Sequence, residues 1–233
     1  MSGAFIFDVD GTLIDSVDLH AQAWQETLAH FGFEIPYEQV RGQIGKGGDQ
    51  LMPVFVPADQ LDRIGDTIEK HRGELFKREY LPRVKPFPAV RDLFLRIKRD
   101  GHRIALASSA NAEEVENYKK LLHVDDLIDA ETTSSDVEHS KPCPDVFEVA
   151  LGRVAVERAR AIVIGDTPYD AIAARRAGLG AVGVLCGGFQ ESDLREQGCV
   201  EIYRDPAHLI DRYSELHALV TRGPQTPVSR YGP

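Results

Sequence analysis

The sequence has only three cysteines, and their arrangement argues against cysteine chemistry. Cys143, Cys186 and Cys199 are an odd number, and no two of them form a C-x-x-C pair. Zinc sites and redox sites built from cysteine need closely spaced pairs, and a disulfide framework needs an even number in an oxidising compartment. We therefore expect three reduced thiols in a cytoplasmic protein, with neither a disulfide nor a structural zinc ion.

The chain also lacks a long apolar run and a cluster of basic residues. No run approaches the ~18 apolar residues of a membrane helix, and the first five residues, MSGAF, lack the basic and apolar regions of a signal peptide. The 27 basic and 37 acidic side chains leave a formal net charge of −10. Because DNA and RNA are bound through clustered Lys and Arg, we expect neither a nucleic acid nor a membrane as a partner.

The composition is that of a folded protein. Apolar residues make up 42% of the chain and aromatic residues 8%, which is too much for a disordered protein. A chain of 233 residues buries roughly 70% of its unfolded surface and exceeds the ~100–150 residues of a common domain. We therefore expect one domain with a large insertion or two small domains. We expect a monomer and keep a dimer as the alternative.

Short apolar runs, several of them rich in β-branched residues, predict five strands. Such runs are typical of strands that are buried on both faces of a parallel sheet. They are Ala4–Phe7, Arg103–Ala107, Ala161–Ile164, Ala181–Leu185 and Val200–Tyr203. Apolar residues at helical spacing, such as Val90, Leu93, Phe94 and Ile97, lie between the strands from residue 86 onward. This alternation predicts an α/β fold, a parallel sheet with helices on both faces.

The stretch between residues 16 and 85 breaks this alternation. It begins with an amphipathic helical stripe, Val17, Ala21, Trp24, Leu28 and Phe31, and contains no convincing strand. We therefore predict a helical domain at residues 16–85, inserted into an α/β core formed by residues 1–15 and 86–221. The last residues, 222–233, hold three prolines and two glycines without periodicity, and we predict that they form a flexible tail.

Polar side chains directly follow three of the predicted strands. Asp8 follows the first strand, Ser108 follows the second, and Asp166 follows the third after one glycine. Because the carboxyl ends of parallel strands lie along one edge of the sheet, where α/β proteins bind ligands, we expect these side chains to lie close together. Lys141, in the S-K-P run before a predicted helix, is a candidate cation for the same crevice.

The run D-V-D-G-T at residues 8–12 places two carboxylates close together. Asp8 and Asp10 point the same way along an extended chain, and Gly11 allows the backbone to turn away. Two such charges repel by about 4 kcal/mol at about 4 Å and an effective dielectric constant of about 20, so the pair, with Asp166 beside it, needs a proton or a cation. Mg²⁺, a hard ion that prefers oxygen ligands, suits this set; a solvated acidic loop is the alternative.

Four segments together resemble the haloacid dehalogenase superfamily of phosphohydrolases. The run DVDGTLIDS at residues 8–16 resembles its first motif, Ser108 in LASS the second, Lys141 in SKP the third, and GDTPYD at residues 165–170 the fourth. The four occur in order, each in the expected strand or loop context. The resemblance implies a Rossmann-like core with a helical cap inserted after the first motif, similar to the β-phosphoglucomutase and phosphoglycolate phosphatase branch.

The resemblance also implies a reaction through a phosphorylated aspartate. Asp8 is the implied nucleophile, which attacks phosphorus and so divides one difficult step into two. Asp10 is the implied acid that protonates the leaving alkoxide, and then the base that deprotonates water. Lys141 offsets the negative charge around the phosphoryl group, and the Ser108 hydroxyl donates to one of its oxygens.

The same resemblance implies the ligands of Mg²⁺ and two supporting residues. The ion is held by the side chains of Asp8 and Asp166 and by the backbone carbonyl of Asp10. Asp170, one helical turn after Asp166, is expected to orient a water on the metal or Lys141; a charge on a helix surface is the alternative. Thr12 is expected to hold the turn that carries the two aspartates.

Residues of the predicted cap are candidates for substrate recognition. His20 lies four residues before Trp24, a spacing that resembles β-phosphoglucomutase, where this histidine assists the sugar hydroxyl; a buried histidine of the cap core is the alternative. Lys46, in the run GKGG, can reach a distal anionic group of a substrate, with an exposed flexible lysine as the alternative. Ser109, next to Ser108, is a further candidate contact.

The motifs therefore predict a Mg²⁺-dependent phosphatase that acts on a small phosphorylated metabolite, such as a sugar phosphate or phosphoglycolate. A phosphomutase of the β-phosphoglucomutase kind is the first alternative, and a non-catalytic phosphate-binding module is the second. The run GLGAVG at residues 178–183 matches G-x-G-x-x-G. It follows a predicted helix and precedes a strand, the reverse of the dinucleotide-binding arrangement, so we do not expect NAD binding.

Overall fold

A parallel sheet forms the centre of the computed structural model, which describes residues 2–222. The strands within this range are β1 Ala4–Phe7, β2 Ile14–Asp15, β3 Lys85–Pro86, β4 Arg103–Ala107, β5 Ala130–Thr132, β6 Ala161–Gly165, β7 Gly180–Val184 and β8 Cys199–Tyr203. Six of them form one sheet in the order β5-β4-β1-β6-β7-β8, with every neighbouring pair parallel. The predicted α/β fold is confirmed, and all five predicted strands are present.

Helices connect the strands and form the segment between β2 and β3. They are α1 Val17–His30, α2 Tyr37–Arg41, α3 Gly48–Phe55, α4 Ala58–Leu75, α5 Val90–Arg99, α6 Ala112–Leu122, α7 Asp145–Val154, α8 Pro168–Arg176, α9 Glu191–Glu196, α10 Pro206–Asp211 and α11 Tyr213–Arg222. A π-helical turn, Phe76–Tyr80, continues α4. No helix within residues 2–222 is both long enough and apolar enough to cross a membrane. The predicted tail, apart from residue 222 at the end of α11, lies outside the described residues.

Side chains of β1 alternate between two layers of the core. Phe5 and Phe7 belong to the cluster that also contains Phe94 of α5, whereas Ile6 belongs to the cluster of Phe147 of α7. All are fully buried, as the twofold side-chain period of a strand with helices on both faces requires. Burying each such side chain contributes about 1.5–3 kcal/mol, so β1 is firmly held and the loop that follows it starts from a fixed point.

The strand order places the end of β1 at a topological switch point. The chain continues from β1 to β4 and β5 on one side and then returns to β6, β7 and β8 on the other. Phe7 is level with Leu106 of β4 and with Ile164 of β6. The three strands therefore end side by side, which is where ligands bind in sheets of this type.

The helices of residues 16–85, called the helical insertion below, have an apolar core of their own. Buried residues of α1, including Trp24 and Leu28, pack with Val40, Leu51 and Ile68 from α2, α3 and α4. An antiparallel ribbon of β2 and β3 joins the two ends of the insertion, with Ile14 opposite Pro86 and Asp15 opposite Lys85. The sequence did not predict this ribbon, because a two-residue strand has no periodicity to detect.

Candidate active site

Asp8, Lys141 and Asp170 form a buried ion-pair cluster at the end of β1. The Lys141 ammonium donates to Asp8 Oδ1 at 2.5 Å and to Asp170 Oδ1 at 2.8 Å. All three side chains are at most 3% exposed. Burial alone would lower the pKa of Lys141, but the charges of Asp170 and Asp8 outweigh it and raise the pKa above its usual range. Lys141 is therefore a permanently charged group, fixed between two carboxylates.

Asp170 is itself held at the start of α8. Its Oδ2 accepts hydrogen bonds from the backbone N–H of Thr167 at 3.0 Å and from the Thr167 hydroxyl at 2.7 Å. The Thr167 hydroxyl in turn lies 3.2 Å from the backbone N–H of Asp170, so the two residues form a reciprocal helix cap. The predicted supporting residue thus contacts Lys141 directly, and its second oxygen is occupied by the cap.

The buried carboxylates of Asp8 and Asp166 have too few positive charges and hydrogen-bond donors around them to be stable when both are ionised. The Thr12 hydroxyl lies 3.0 Å from Asp166 Oδ1 and 3.3 Å from Asp8 Oδ2, and it has one proton to offer to both. Burial, with a contribution from Asp170, raises the pKa of Asp8 to about 7 even though Lys141 lowers it. Burial and the charges of Asp8 and Asp170 raise the pKa of Asp166 well above its usual value.

This deficit fits a hard divalent cation. Oxygens of Asp8, Asp166 and Asp170 lie within 4.8 Å of one another, and Asp166 Oδ2 is a buried atom without a hydrogen-bond partner among the described residues. Because both oxygens of Asp170 are firmly held by Lys141 and Thr167, the oxygens most open to a cation are Asp166 Oδ2, which has no partner among the described residues, and Asp8 Oδ2, whose hydrogen bond from Thr12 is long at 3.3 Å. A Cβ at Gly187, in the loop after β7, would overlap the Asp166 carboxylate, so glycine at this position leaves room beside the acid.

Asp10 is surrounded by donors rather than by other acids. Its Oδ1 accepts a hydrogen bond from the Ser16 hydroxyl at 2.7 Å and lies 2.8 Å from His20 Nε2. Although burial raises the pKa of Asp10, the attraction and hydrogen bond of His20, with the Ser16 hydroxyl, lower it to about 2. Two carboxylates two residues apart therefore have opposite pKa shifts, an arrangement typical of acid–base sites in which each group has a different role.

Arg72 of α4 fixes the orientation of the His20 ring. The guanidinium hydrogen-bonds to His20 Nδ1, so Nε2 is the ring nitrogen that faces Asp10. The ring also stacks on Phe76 with centroids 4.0 Å apart. Of the two interpretations of His20, the structure places it in contact with the candidate acid rather than only in the insertion core.

Tyr118 is a buried residue of α6 that reaches the same group. Its hydroxyl lies 3.4 Å from His20 Nε2, and the side chain is fully buried. Burial and the nearby Asp10 raise the pKa of Tyr118 well above its usual value. Sequence reasoning missed Tyr118 and Arg72, because both lie on helices without a motif and reach the site only after folding.

The two serines after β4 differ in their surroundings. The Ser108 hydroxyl is buried and accepts the backbone N–H of Ala110 at 3.0 Å, which leaves its own proton free to donate. Ser109 lines the cleft beside Asp8, and its buried hydroxyl has no partner among the described residues. Ser108 itself is not part of the cleft lining.

A cleft with a volume of about 90 Å³ opens above these groups, between the helical insertion and the sheet edge. Six of the predicted residues line it: Asp8, Asp10, His20, Lys46, Ser109 and Lys141. The insertion also contributes Trp24, Glu69 and Arg72 to the lining. Thr12, Asp166 and Asp170 lie beneath the cleft: Thr12 contacts Asp8 and Asp166, and Asp170 contacts Lys141.

The loop before α3 closes the cleft against the core. The Ser140 hydroxyl accepts the backbone N–H of Gly47 at 2.9 Å and donates to Asp49 at 2.5 Å. Tyr169 donates to the backbone oxygen of Gly42 at 2.6 Å. Ser140 directly precedes Lys141, so this loop is tied to the same segment that carries the catalytic candidate.

Lys46 is a held side chain rather than a flexible one. Its ammonium donates to Gln43 Oε1 at 2.5 Å and lies 4.7 Å from the centre of the Tyr169 ring. Burial lowers the pKa of Lys46 below its usual value. The residue is therefore placed at the cleft by contacts with both the insertion and α8.

Comparison with known proteins gives one family. A family model described as haloacid dehalogenase-like hydrolase matches residues 5–184. The fructose-1-phosphate phosphatase YqaB of Escherichia coli (strain K12) is 29% identical over 180 residues, which are 77% of this chain and 94% of that protein. The pyrophosphatase PpaX of Bacillus mycoides (strain KBAB4) is 26% identical over 219 residues, which are 93% of this chain and 96% of that protein.

A solved structure agrees with these relatives. A hydrolase from Pseudomonas syringae matches with a TM-score of 0.85 and 27% identity, over 92% of this chain and 99% of that chain. The family that the four motifs predicted is thus confirmed both by sequence and by fold.

Proposed function

The chain belongs to the haloacid dehalogenase-like hydrolase family and is a phosphatase of that family; we propose that it is a Mg²⁺-dependent enzyme that hydrolyses a small phosphomonoester through a phosphorylated aspartate. The names of the two relatives describe a sugar phosphate and pyrophosphate as substrates.

Asp8 is the proposed nucleophile. It lies at the fixed end of β1, lines the cleft and faces the charged Lys141 at 2.5 Å. Its carboxylate oxygen attacks phosphorus, the bond from phosphorus to the ester oxygen breaks, and the phosphoryl group is carried on Asp8. Lys141 neutralises the charge that collects between the carboxylate and the phosphoryl oxygens. Asp170 positions Lys141 for this task.

Asp10 is the proposed acid and base. In the structure its low pKa makes it a carboxylate, the form that removes a proton from the water that hydrolyses the phosphorylated aspartate. To protonate the leaving alkoxide in the first step it must take up a proton as the negatively charged phosphoryl group enters. His20 and Ser16 hold its Oδ1, so the other oxygen is the one that exchanges protons.

Mg²⁺ is the proposed metal, because its preferred oxygen ligands match the open oxygens of Asp8 and Asp166. The side chains of these residues would hold it, with the backbone carbonyl of Asp10. When bound, the ion supplies positive charge that polarises the phosphoryl group and relieves the repulsion between the two acids. Thr12 keeps the carboxylates oriented through its shared hydrogen bonds.

We propose that residues 16–85 form a cap domain, with residues 1–15 and 86–221 as the core. His20 and Lys46 would contact the substrate from the cap, and Ser109 from the core. The Ser108 hydroxyl, with its free proton, would donate to a phosphoryl oxygen.

The cluster of Asp8, Lys141 and Asp170 carries the proposal, and phosphate release tests it. We expect release from a panel of phosphomonoesters in Mg²⁺, its loss in excess chelator, and its loss in the Asp8→Asn variant. Asp62→Asn, which removes a charge on the exposed side of α4, serves as the matched control and should retain activity. Conversion of β-glucose 1-phosphate to glucose 6-phosphate with little release would indicate a phosphomutase instead. No turnover by folded protein in Mg²⁺ would support a binding module.

A further inference from the structure

Glu69 is a carboxylate of α4 that lines the cleft and has no role in the reaction described above. It lies three residues before Arg72, on the same side of the helix. Its carboxylate lies against the start of α3, where a Cβ at Gly48 would come within 2.5 Å of Glu69 Oε2. The side chain of Glu69 is exposed in the cleft; partial desolvation of its carboxylate raises its pKa, with the neighbouring Asp49 adding to the effect and Arg72 opposing it.

The Glu69 carboxylate accepts no hydrogen bond from any residue in the part of the chain that the structure describes. The cations of the cleft wall are engaged elsewhere. Arg72 donates to His20 and lies 3.5 Å from Glu114, whereas Lys46 donates to Gln43. Glu69 is therefore the charged side chain on the insertion side of the cleft that has no hydrogen bond to the described residues, and as a carboxylate it can only accept one.

Three charged side chains of the insertion line the cleft: Lys46, Glu69 and Arg72. Arg72 also pairs with the buried Glu114 of α6, which is not part of the lining. A carboxylate that is free to accept hydrogen bonds is matched by a leaving group that is neutral and rich in hydroxyls. A leaving group with its own phosphate or carboxylate would place a like charge beside Glu69, at a cost that grows as water is excluded.

Building on the proposed phosphatase function, we propose that Glu69 determines specificity by accepting hydrogen bonds from the hydroxyls of a neutral polyol and by repelling anionic leaving groups. The substrate class is then a monophosphorylated sugar or sugar alcohol, in preference to phosphoglycolate, pyrophosphate or a bisphosphate. Charge-assisted hydrogen bonds from hydroxyls to a carboxylate are among the stronger neutral-to-ion contacts, which is why one residue can set the preference.

The test compares leaving groups of different charge in the Glu69→Gln variant, which keeps the side-chain shape and removes the charge. Fructose 1-phosphate supplies a neutral polyol, and phosphoglycolate supplies a carboxylate. The wild type should prefer fructose 1-phosphate. In Glu69→Gln the ratio of kcat/KM for fructose 1-phosphate to that for phosphoglycolate should fall at least about tenfold, with the value for phosphoglycolate rising. Asp62→Asn should leave the ratio unchanged and so controls for net charge.

Two further measurements separate this proposal from the phosphatase itself. Metal-dependent hydrolysis of p-nitrophenyl phosphate by the wild type, and its loss in Asp8→Asn, tests the phosphatase without a polyol. Calorimetric binding of fructose 1-phosphate and of phosphoglycolate to Asp8→Asn, with and without Glu69→Gln, tests selectivity even if turnover is absent. A wild-type preference for phosphoglycolate, or a ratio that Glu69→Gln does not change, would overturn the role of Glu69 while leaving the phosphatase intact.

Discussion

In the presence of chelator, the Asp8→Asn variant is expected to unfold at a higher temperature than the wild type at pH 8, with a much smaller difference at pH 5. The reason is the cost of an ionised Asp8 in its buried site beside Asp170 and Asp10. That cost raises the pKa of Asp8 from its ordinary value of 3.8 to about 7. Asparagine has almost the same shape and no charge, so it removes the cost while it retains the packing.

The direction in which stability changes with pH follows from how many protons the folded and unfolded states bind. The unfolded chain releases the Asp8 proton near pH 3.8 and the folded protein near pH 7, so between these values the folded state binds more protons and its stability falls as pH rises. At about 1.4 kcal/mol per unit of pKa difference, ionisation of Asp8 lowers the free energy of unfolding by about 4 kcal/mol in total. About 2.5 kcal/mol of this loss occurs between pH 5 and pH 8. Asp166, whose pKa is also raised, acts in the same direction. Asp10, with a pKa of about 2, does not titrate in this window.

Thermal unfolding followed by circular dichroism measures this difference. The unfolding temperature of a chain of this size changes by about 2–4 °C per kcal/mol. Between pH 5 and pH 8, the unfolding temperature of the wild type should therefore fall by about 5–10 °C more than that of Asp8→Asn. Asp62→Asn should follow the wild type. Added Mg²⁺ should restore more stability to the wild type at pH 8 than at pH 5, because the metal binds deprotonated carboxylates. Equal pH slopes for the wild type and Asp8→Asn would refute the reasoning.

Two other substitutions test contacts that surround the site. Gly187→Ala places a methyl group against Asp166. We expect it to weaken Mg²⁺ binding at least about tenfold, because the groups around a metal ligand commonly control metal affinity to this degree. Unchanged affinity in calorimetry would contradict the inference that Gly187 leaves room beside Asp166. Arg72→Ala leaves the buried Glu114 without its ionic partner and should lower the free energy of unfolding by about 3 kcal/mol. Urea denaturation at pH 7 measures this change. A loss below about 1 kcal/mol, as for an exposed ion pair, would show that the charge of Glu114 does not need Arg72 for its stability.

Local sequence patterns were sufficient for five strands of the sheet, including the edge strand β8, but not for β5 or for the two-residue strands β2 and β3. The run AFIF is apolar throughout, because β1 is covered by helices on both faces. In contrast, β5 has the sequence A-E-T, which carries no apolar pattern. Its strand conformation depends on pairing with β4, with Thr132 beside Ala107. Such pairing is a long-range contact, which a local pattern does not contain.

The same distinction applies to the site. Asp8, Ser108 and Asp166 could be placed together from the sequence, because each follows a strand and parallel strands end on one edge. The loop after β7 follows the same rule, so Gly187 could have been found in this way. Glu69, Arg72 and Tyr118 could not, because many polar residues on α4 and α6 share their helical spacing and nothing in the local pattern selects among them.

The sequence by itself therefore determined the parallel sheet, the helices between β2 and β3, and the polar residues that gather at the strand ends, because these depend on short-range periodicity and on the rule for strand ends. Only the tertiary structure decided which face of α4 covers the cleft. Packing of α4 against α1 brings Arg72 to His20, and packing of the insertion onto the core brings Tyr118 to His20 and Glu114 to Arg72. These contacts join residues far apart in the chain, and their geometry is set by how the helices pack, which no local pattern records.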